Sequence, residues 1–322
     1  MKKFSCRTAI LFFLIIICAT SASAVKTLIP GGQVIGLQLQ DGTVTVVALD
    51  EELGDAAKAA GLAPGDRILR IDETEVRCAQ DVRTALSQSD GQVALSVQRG
   101  TKTKNLTLSP ALTEGGPKLG VYLRQGTTGL GTVTYYDPGT KQLAALGHGV
   151  VCQSGELLRM NTGSVYDAQI FSIKKGIPGT PGQLLGSLTD TAPLGALEKN
   201  TEQGVFGKAD AAISGDALPV ASCDQVRTGS AVIRSTVDGK NLREYSVEIL
   251  KIYPNSGSRT RNMLLKVTDP ALLAATGGIV QGMSGSPIIQ NGKLIGAVTH
   301  VLVNDPTTGY GIFIEHMLDA AA

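Results

Sequence analysis

Short stretches that alternate apolar and polar residues, separated by glycine, recur along most of this chain. Examples are residues 43–49, 93–99, 246–252 and 294–303. Successive side chains of a strand point to opposite faces, so this pattern is typical of half-buried β-strands. The 39 glycines among 322 residues supply tight turns between such strands. The sequence therefore predicts a mainly β fold.

The first 24 residues have the composition of an export signal. Three basic residues precede an almost wholly apolar stretch over residues 9–19, and residues 22–24 (Ala-Ser-Ala) form a small-residue cleavage pattern. Such a stretch is short for about 30 Å of hydrocarbon. We expect cleavage after Ala24, with retention as a membrane anchor as the alternative. Both interpretations place the rest of the chain outside the cytoplasm.

Charge and cysteine content exclude several classes of function. Residues 1–24 hold three of the 29 basic residues and none of the 28 acidic ones, so the remaining chain has a formal charge of −2. Nucleic acid is therefore not an expected partner. Cys78, Cys152 and Cys223 are odd in number and widely spaced, which predicts free thiols. His148 and Cys152 lack further ligands at matching spacing, so we expect no metal and no cofactor.

Residues 61–72 resemble the signature of PDZ domains. Pro64 and Gly65 suit a type II turn, and the apolar residues that follow suit a core strand. We expect a small α/β PDZ domain over residues 28–110. Upstream, Ile35, Gly36 and Leu37 occupy the place of the loop that holds a peptide carboxylate in such domains. The alternative for these three residues is a glycine-rich turn without a ligand.

A stretch rich in glycine and proline around residues 109–120 indicates a domain boundary. The strand-like runs from residue 118 to residue 322 are typical of a sandwich or a pair of small barrels. We expect a second domain over this range, ending in a short helix.

The hexapeptide at residues 282–287, Gly-Met-Ser-Gly-Ser-Pro, has the composition of a nucleophile turn. A catalytic serine needs a tight turn whose backbone N–H groups point at the developing oxyanion. Ser284 would be the nucleophile, and the N–H groups of Gly282 and Ser284 would form the oxyanion hole. The turn resembles that of chymotrypsin-type proteases, although glycine and serine are also common in loops without catalytic function.

A serine nucleophile requires a base, and the chain contains three histidines, His148, His300 and His316. His148 stands between two glycines at the end of an apolar run, an open setting. His300 lies in a strand-like segment and His316 in the terminal helix, where structural roles are the ordinary expectation. His148 is therefore the candidate general base.

The segments 28–32, 61–72, 146–149, 176–182, 204–207 and 277–310 together are similar to the SpoIVB peptidase family. This resemblance implies a chymotrypsin-like, barrel-type serine peptidase domain behind the PDZ domain. It also implies His148 as base, Ser284 as nucleophile and Asp269 as the third member of a triad. From the residues alone, Asp167 and Asp305 remain possible third members.

The resemblance further implies an exported serine endopeptidase of intercompartmental sporulation signalling. It would cleave its own N-terminal region and a membrane-bound regulator of an intramembrane metalloprotease, leading to activation of a late sigma factor. The expected location is the space between the forespore and mother-cell membranes. The alternative from another class is an inert PDZ scaffold that holds a membrane signalling complex together.

Overall fold

The structure is a computed structural model that describes residues 26–152, 155–190, 192–254 and 257–322. The expected export signal lies outside these residues. Strands account for 54% of the structure and helices for 11%, which confirms the mainly β prediction. Within the described ranges, no helix is long and apolar enough to span a bilayer.

The N-terminal part of the chain forms an α/β unit. Its elements are β1 (Thr27–Pro30), β2 (Val34–Leu49), α1 (Asp55–Ala59), β3 (Arg67–Ile71), β4 (Thr74–Glu75), α2 (Ala79–Ser87), β5 (Val93–Arg99), β6 (Lys102–Leu108), β7 (Ala111–Thr113) and β8 (Gly116–Lys118). The apolar positions 82, 85 and 86 of α2 are buried, as their helical spacing predicts.

The middle of the chain adds strands to the same sheet. They are β9 (Val121–Asp137), β10 (Gln142–Ala145), β11 (Thr162–Lys174), β12 (Gln183–Leu188), β13 (Gly195–Thr201), β14 (Gly204–Ala209) and β15 (Leu218–Pro219), followed by a 3₁₀ turn, Cys223–Gln225. The strand order along the sheet is β15-β1-β9-β10-β14-β13-β11-β2-β3-β5-β6.

The C-terminal part forms a closed barrel with the strand order β16-β17-β18-β21-β20-β19. Its elements are β16 (Gly229–Asp238), β17 (Asn241–Ile252), β18 (Met263–Val267), α3 (Pro270–Thr276), β19 (Pro287–Gln290), β20 (Lys293–Leu302), β21 (Asp305–Phe313) and α4 (Ile314–Ala321). Each of these six strands therefore pairs with two neighbours among the described residues.

Two long strands connect the N-terminal unit to the rest of the sheet. The first half of β2 pairs with β9 and β11, and its second half pairs with β3 and again with β9. Strand β9 begins after the predicted boundary, yet its first residues pair with residues 44–49 of the N-terminal unit. The two parts of the chain therefore share one continuous sheet, and the domain limits of 28–110 and 118–322 remain a prediction.

An ion pair with a buried carboxylate joins the turn before β3 to the end of β5. The side chain of Asp66 is fully buried, and its carboxylate accepts hydrogen bonds from Arg99 Nε and Nη2, each at 2.6 Å, and from the Ala63 N–H. Burial alone would raise the pKa of Asp66, but the bonds from Arg99 and Ala63 outweigh it and hold the pKa below its usual range. Asp66 therefore stays ionised and depends on Arg99.

Replacing Arg99 with Met should lower the Tm by roughly 5 °C or more, because a buried carboxylate would lose its cationic partner. Arg70→Met is a matched control. Arg70 pairs with the exposed Glu73, so its loss should change the Tm by no more than about 1 °C. Thermal unfolding followed by circular dichroism measures both variants. Equal shifts would contradict a structural role for the buried pair.

Candidate active site

Ser284 and His148, far apart in sequence, line one cavity of about 490 Å³. Gly282, Thr299 and His300 also line it. The cavity lies where the first half of β2 and the middle of β9 face the nucleophile turn and β20. Two of the three predicted triad members are thus brought to a common surface.

The turn at residues 282–287 depends on its two glycines. Gly282 and Gly285 have φ angles of +100° and +97°, a region that other residues rarely adopt. A Cβ atom at Gly285 would lie 2.1 Å from the Thr132 carbonyl oxygen, so this position also lacks space for a side chain. The turn then enters β19, whose side chains are all buried. The glycines of the turn therefore adopt conformations that other residues rarely adopt, and the buried strand β19 anchors the turn.

The backbone N–H groups of this turn divide into two sets. Those of Met283, Gly285 and Ser286 donate to carbonyl groups of residues 280, 298 and 283. Those of Gly282 and Ser284 have no acceptor among the residues that the structure describes. Because unpaired backbone donors are uncommon in folded proteins, these two N–H groups are suited to an incoming oxyanion.

Thr132 of β9 holds the turn in this arrangement, and the sequence analysis did not identify it. Its Oγ1 donates to the Gly282 carbonyl at 2.8 Å, and its N–H donates to the Ser284 carbonyl at 3.0 Å. The first bond holds the peptide group between the two free N–H groups, and the second holds the peptide group that follows them. The only sequence signal is a pair of threonines, Thr132 and Thr134, at alternate positions near the end of β9, where residues 131–137 are all buried.

His148 is positioned by an unusual backbone path, since Leu146 and Gly147 have φ angles of +71° and +68°. Its Nδ1 lies 3.0 Å from the Gly149 carbonyl oxygen, which can only accept, so Nδ1 carries the proton and Nε2 is free to act as a base. Burial lowers the pKa of His148, and the bond to Gly149 partly opposes this. His148 is therefore neutral at neutral pH.

The catalytic hydrogen bonds are not formed in this structure. Ser284 Oγ donates to the Thr299 carbonyl at 2.9 Å, and no hydrogen bond joins it to His148 within the described ranges. Hydrogen bonds of this kind are often long or poorly aligned in enzymes without substrate, and they tighten when the substrate binds. The nucleophile and the base share the cavity in a resting arrangement.

The structure does not bring Asp269 to His148. Asp269 is the N-cap of α3, where its Oδ1 accepts from the N–H groups of Ala271 and Leu272. Of the two other carboxylates considered, Asp167 accepts hydrogen bonds from Lys240 and a threonine hydroxyl, and Asp305 accepts from two threonine hydroxyls. The Nδ1–H of His148 donates to the Gly149 carbonyl, in the position where a triad carboxylate would accept this bond.

His300 is a site residue that sequence reasoning placed in a structural role. Its ring centroid lies 5.2 Å from that of His148, and its buried Nδ1 has no hydrogen-bond partner within the described structure. Burial, together with the nearby His148 and Arg261, lowers the pKa of His300 to about 4. His316 lies elsewhere, with Nδ1 near Arg259 O and Asn262 Oδ1. The site thus contains two neutral histidines.

Ile35, Gly36 and Leu37 lie in the first half of β2 and not in the expected loop. They pair with Leu130, Gly129 and neighbouring residues of β9 on one side and with β11 on the other. A strand paired on both edges has no row of free N–H groups for a peptide terminus.

In the described structure, no group of three or more His, Cys, Asp and Glu side chains could hold a metal ion.

A mainly β fold with a serine turn, a neighbouring histidine and an open pair of N–H groups defines the class as a serine peptidase. Residues 115–318 match the family model of SpoIVB peptidase S55, and residues 33–109 match that of the PDZ domain. The chain belongs to the SpoIVB peptidase S55 family. It is a serine endopeptidase with a PDZ domain in front of the peptidase domain.

The chain also resembles individual proteins over parts of its length. A protein of Rhizobium meliloti (strain 1021) named "Putative zinc metalloprotease" is 32% identical over 100 residues, which are 31% of this chain and 26% of that protein. The chain thus spans about a quarter of that relative. Crystal structures of the Rv3671c protease of M. tuberculosis, in an active form and as an inactive serine-to-alanine mutant, align over 60% and 59% of this chain.

The alignments cover 72% and 78% of those two chains, with TM-scores of 0.35 and 0.34 and identities of 18% and 16%.

Thr132→Val should slow the reaction of Ser284 with a fluorophosphonate by about tenfold, because the Gly282 carbonyl loses its anchor. Loss of an oxyanion-hole donor itself typically costs 100-fold or more. Thr132→Ser should restore the rate. Thr134→Val is the matched control, since Thr134 donates a similar 2.8 Å bond to the Gly285 carbonyl, away from the free N–H groups. Equal rate losses in both valine variants would contradict the assignment to Thr132.

Proposed function

We propose that this endopeptidase cleaves peptide bonds by acyl transfer, with Ser284 as nucleophile and His148 as base. The observation that carries the proposal is the convergence of both side chains, and of the unpaired N–H groups of Gly282 and Ser284, on one cavity. His148 Nε2 takes the hydroxyl proton as Ser284 Oγ attacks the carbonyl carbon. The two N–H groups stabilise the oxyanion, and the protonated His148 gives its proton to the leaving amine as the C–N bond breaks. Water, deprotonated by His148, then attacks the acyl-enzyme, and the proton returns to Ser284 Oγ as the acyl group leaves.

The hydrogen bond that Ser284 makes without substrate has to break before the reaction can begin. Ser284 Oγ has to leave the Thr299 carbonyl and turn toward His148 Nε2. A substrate lying along β20 can supply a backbone N–H to the Thr299 carbonyl in place of the hydroxyl. Substrate binding would then release the nucleophile, so that peptide binding and formation of the catalytic pair are coupled.

The cavity walls support a preference for apolar substrate side chains. The lining includes Leu130, Leu146, Ile279 and Val301, and no Asp, Glu, Lys or Arg side chain is among its described residues. Burying a charged side chain there would cost far more than burying an apolar one. We therefore propose an apolar residue next to the scissile bond.

Family membership supports the finer part of the proposal. We infer that the protein is exported, with residues 1–24 as signal or anchor, and acts in the space between the forespore and mother-cell membranes. Its substrates would be its own N-terminal region and a membrane-bound regulator of an intramembrane metalloprotease, in sporulation signalling that activates a late sigma factor. The PDZ domain, proposed over residues 28–110, would recruit or restrain these partners.

The rival function is an inert PDZ scaffold, in which the serine turn has no chemistry. Active-site labelling separates the two, because a fluorophosphonate reacts only with a serine that a base activates. We expect one label on Ser284, lost in Ser284→Ala and reduced by about 1000-fold or more in His148→Ala. Ser286→Ala is the matched control, since the Ser286 hydroxyl is buried against Ser235 and should not affect labelling. Folded protein that takes no label with a substrate peptide present would favour the scaffold.

The same labelling assay tests Asp269, which we propose as third triad member on the strength of the family resemblance. Asn caps helices as well as Asp does, so Asp269→Asn preserves the cap of α3 while it removes the charge. We expect an unchanged Tm and a labelling rate lowered by about 100-fold or more. Asp305→Asn serves as the control. An unchanged rate in Asp269→Asn would leave the Gly149 carbonyl as the group that orients His148.

A further inference from the structure

A second cavity, of about 630 Å³, adjoins the one that holds Ser284 and His148. The two cavities share part of their lining, including Gln281 and Gly282, so Gly282 with its free N–H lies at their junction. Strand β20 lines only the cavity that holds the nucleophile, and β12 lines only the second cavity. A substrate that reaches the oxyanion site along β20 therefore continues into the second cavity beside β12.

Strand β12 presents an unpaired edge to this second cavity. Its first edge pairs with β11. On the second edge, the Leu184 N–H donates to the Gln281 carbonyl and the Gln281 N–H donates to the Gly182 carbonyl, each at 2.9 Å. No described strand pairs with the rest of this edge. Because every second residue of a strand turns its N–H and C=O groups to the same edge, those of Gly186 and Leu188 are available there.

Two glycines allow β12 to lie close to the large sheet, which forms the floor of the cavity. A Cβ atom on Gly36 of β2 would lie 2.1 Å from Leu188 Cδ2, so Leu188 uses the space that Gly36 leaves. A Cβ atom on Gly186 would lie 3.1 Å from Cδ1 of Leu130, in β9. The cavity is therefore a groove with the free edge of β12 as one wall.

The side chains that line the groove are uncharged. Among its described residues there is no Asp, Glu, Lys or Arg, and there are three glutamines, Gln38, Gln183 and Gln281. Gln38 Oε1 accepts from the Tyr166 hydroxyl at 3.2 Å, and Gln183 and Gln281 are exposed. A side-chain amide both donates and accepts, so it can bind peptide groups and uncharged polar side chains. A charged side chain would lose water there without gaining an opposite charge.

We propose that this groove binds the part of the substrate that follows the scissile bond, as an extended strand on the free edge of β12. This inference rests on the proposed acyl-transfer function and adds a substrate class to it, namely internal peptide segments with several uncharged residues after the bond. Backbone pairing with Gly186 and Leu188 provides affinity, as in other cases of strand addition. The amides of Gln183 and Gln281 select uncharged side chains.

Acyl transfer to added amines tests the groove without a natural substrate. The p-nitrophenyl ester of N-acetyl-leucine acylates Ser284 and releases p-nitrophenol. The amine nitrogen of an added peptide then attacks the acyl carbon, His148 takes a proton from this nitrogen, and the proton passes to Ser284 Oγ as its bond to the acyl carbon breaks. We expect tetra-alanine amide to capture the acyl group at least about tenfold more efficiently than alanine amide, because only the longer amine reaches the edge of β12.

Methylated peptides test the backbone pairing. A strand that pairs along one edge uses alternate N–H groups. N-methylation of either the second or the third residue of tetra-alanine amide, but not of both alike, should therefore lower its capture by about fivefold, which corresponds to the loss of one hydrogen bond. Equal effects at the two positions would contradict pairing with β12.

A charge placed in the groove gives the matched test of its side chains. Gln183→Lys should raise the ratio of capture by Ala-Ala-Glu-Ala amide to capture by Ala-Ala-Lys-Ala amide by about threefold or more. Gln92→Lys is the control, because Gln92 is also exposed and does not line the groove, and its ratio should equal that of the unmodified chain.

The outcomes separate this inference from the function on which it rests. Equal capture by alanine amide and tetra-alanine amide, or equal ratios in the two lysine variants, would overturn the groove assignment while acylation of Ser284 stands. Release of p-nitrophenol no faster than in Ser284→Ala would refute the proposed function, and the groove assignment with it.

Discussion

The two hydrogen bonds from Thr132 to the nucleophile turn are the contact on which the active site depends. They join β9, in the large sheet, to the loop that precedes β19 of the closed barrel. The Leu146 N–H donates to the Thr132 carbonyl, so the loop carrying His148 is fixed to the same residue. One buried threonine therefore sets the position of the nucleophile turn relative to the base, and the two free N–H groups follow from that constraint.

Strand β9 also gives the PDZ domain and the peptidase domain a common framework. Its first residues pair with residues 44–49, and Thr132 lies further along the same strand. The N-terminal unit and the support of the catalytic turn therefore lie on one paired strand, with no flexible linker between them in this part of the chain.

Local sequence predicted the parts of the site that local backbone chemistry determines. The glycines around Ser284 and His148 are required by positive φ angles and close contacts, and both residues reached the same cavity. Long-range contacts were not predictable, because the spacing of Thr132 or His300 along a strand carries no information about its partner. For the same reason, the sequence suggested a loop at residues 35–37, where the structure has a strand. These residues belong to β2, and their pairing with the distant strand β9 could not be read from local sequence. Asp269 was expected in the triad through the family resemblance alone, and the structure shows it as the N-cap of α3.

The proposed oxyanion site consists of the N–H groups of Gly282 and Ser284, beside a serine hydroxyl that donates to the Thr299 carbonyl at rest. A crystal structure of the fluorophosphonate adduct tests this most directly. We predict a phosphonyl oxygen within about 2.7–3.1 Å of both backbone nitrogens, with His148 Nε2 facing the Ser284 oxygen. A phosphonyl oxygen directed to solvent, with either N–H bonded to a protein acceptor, would contradict the account.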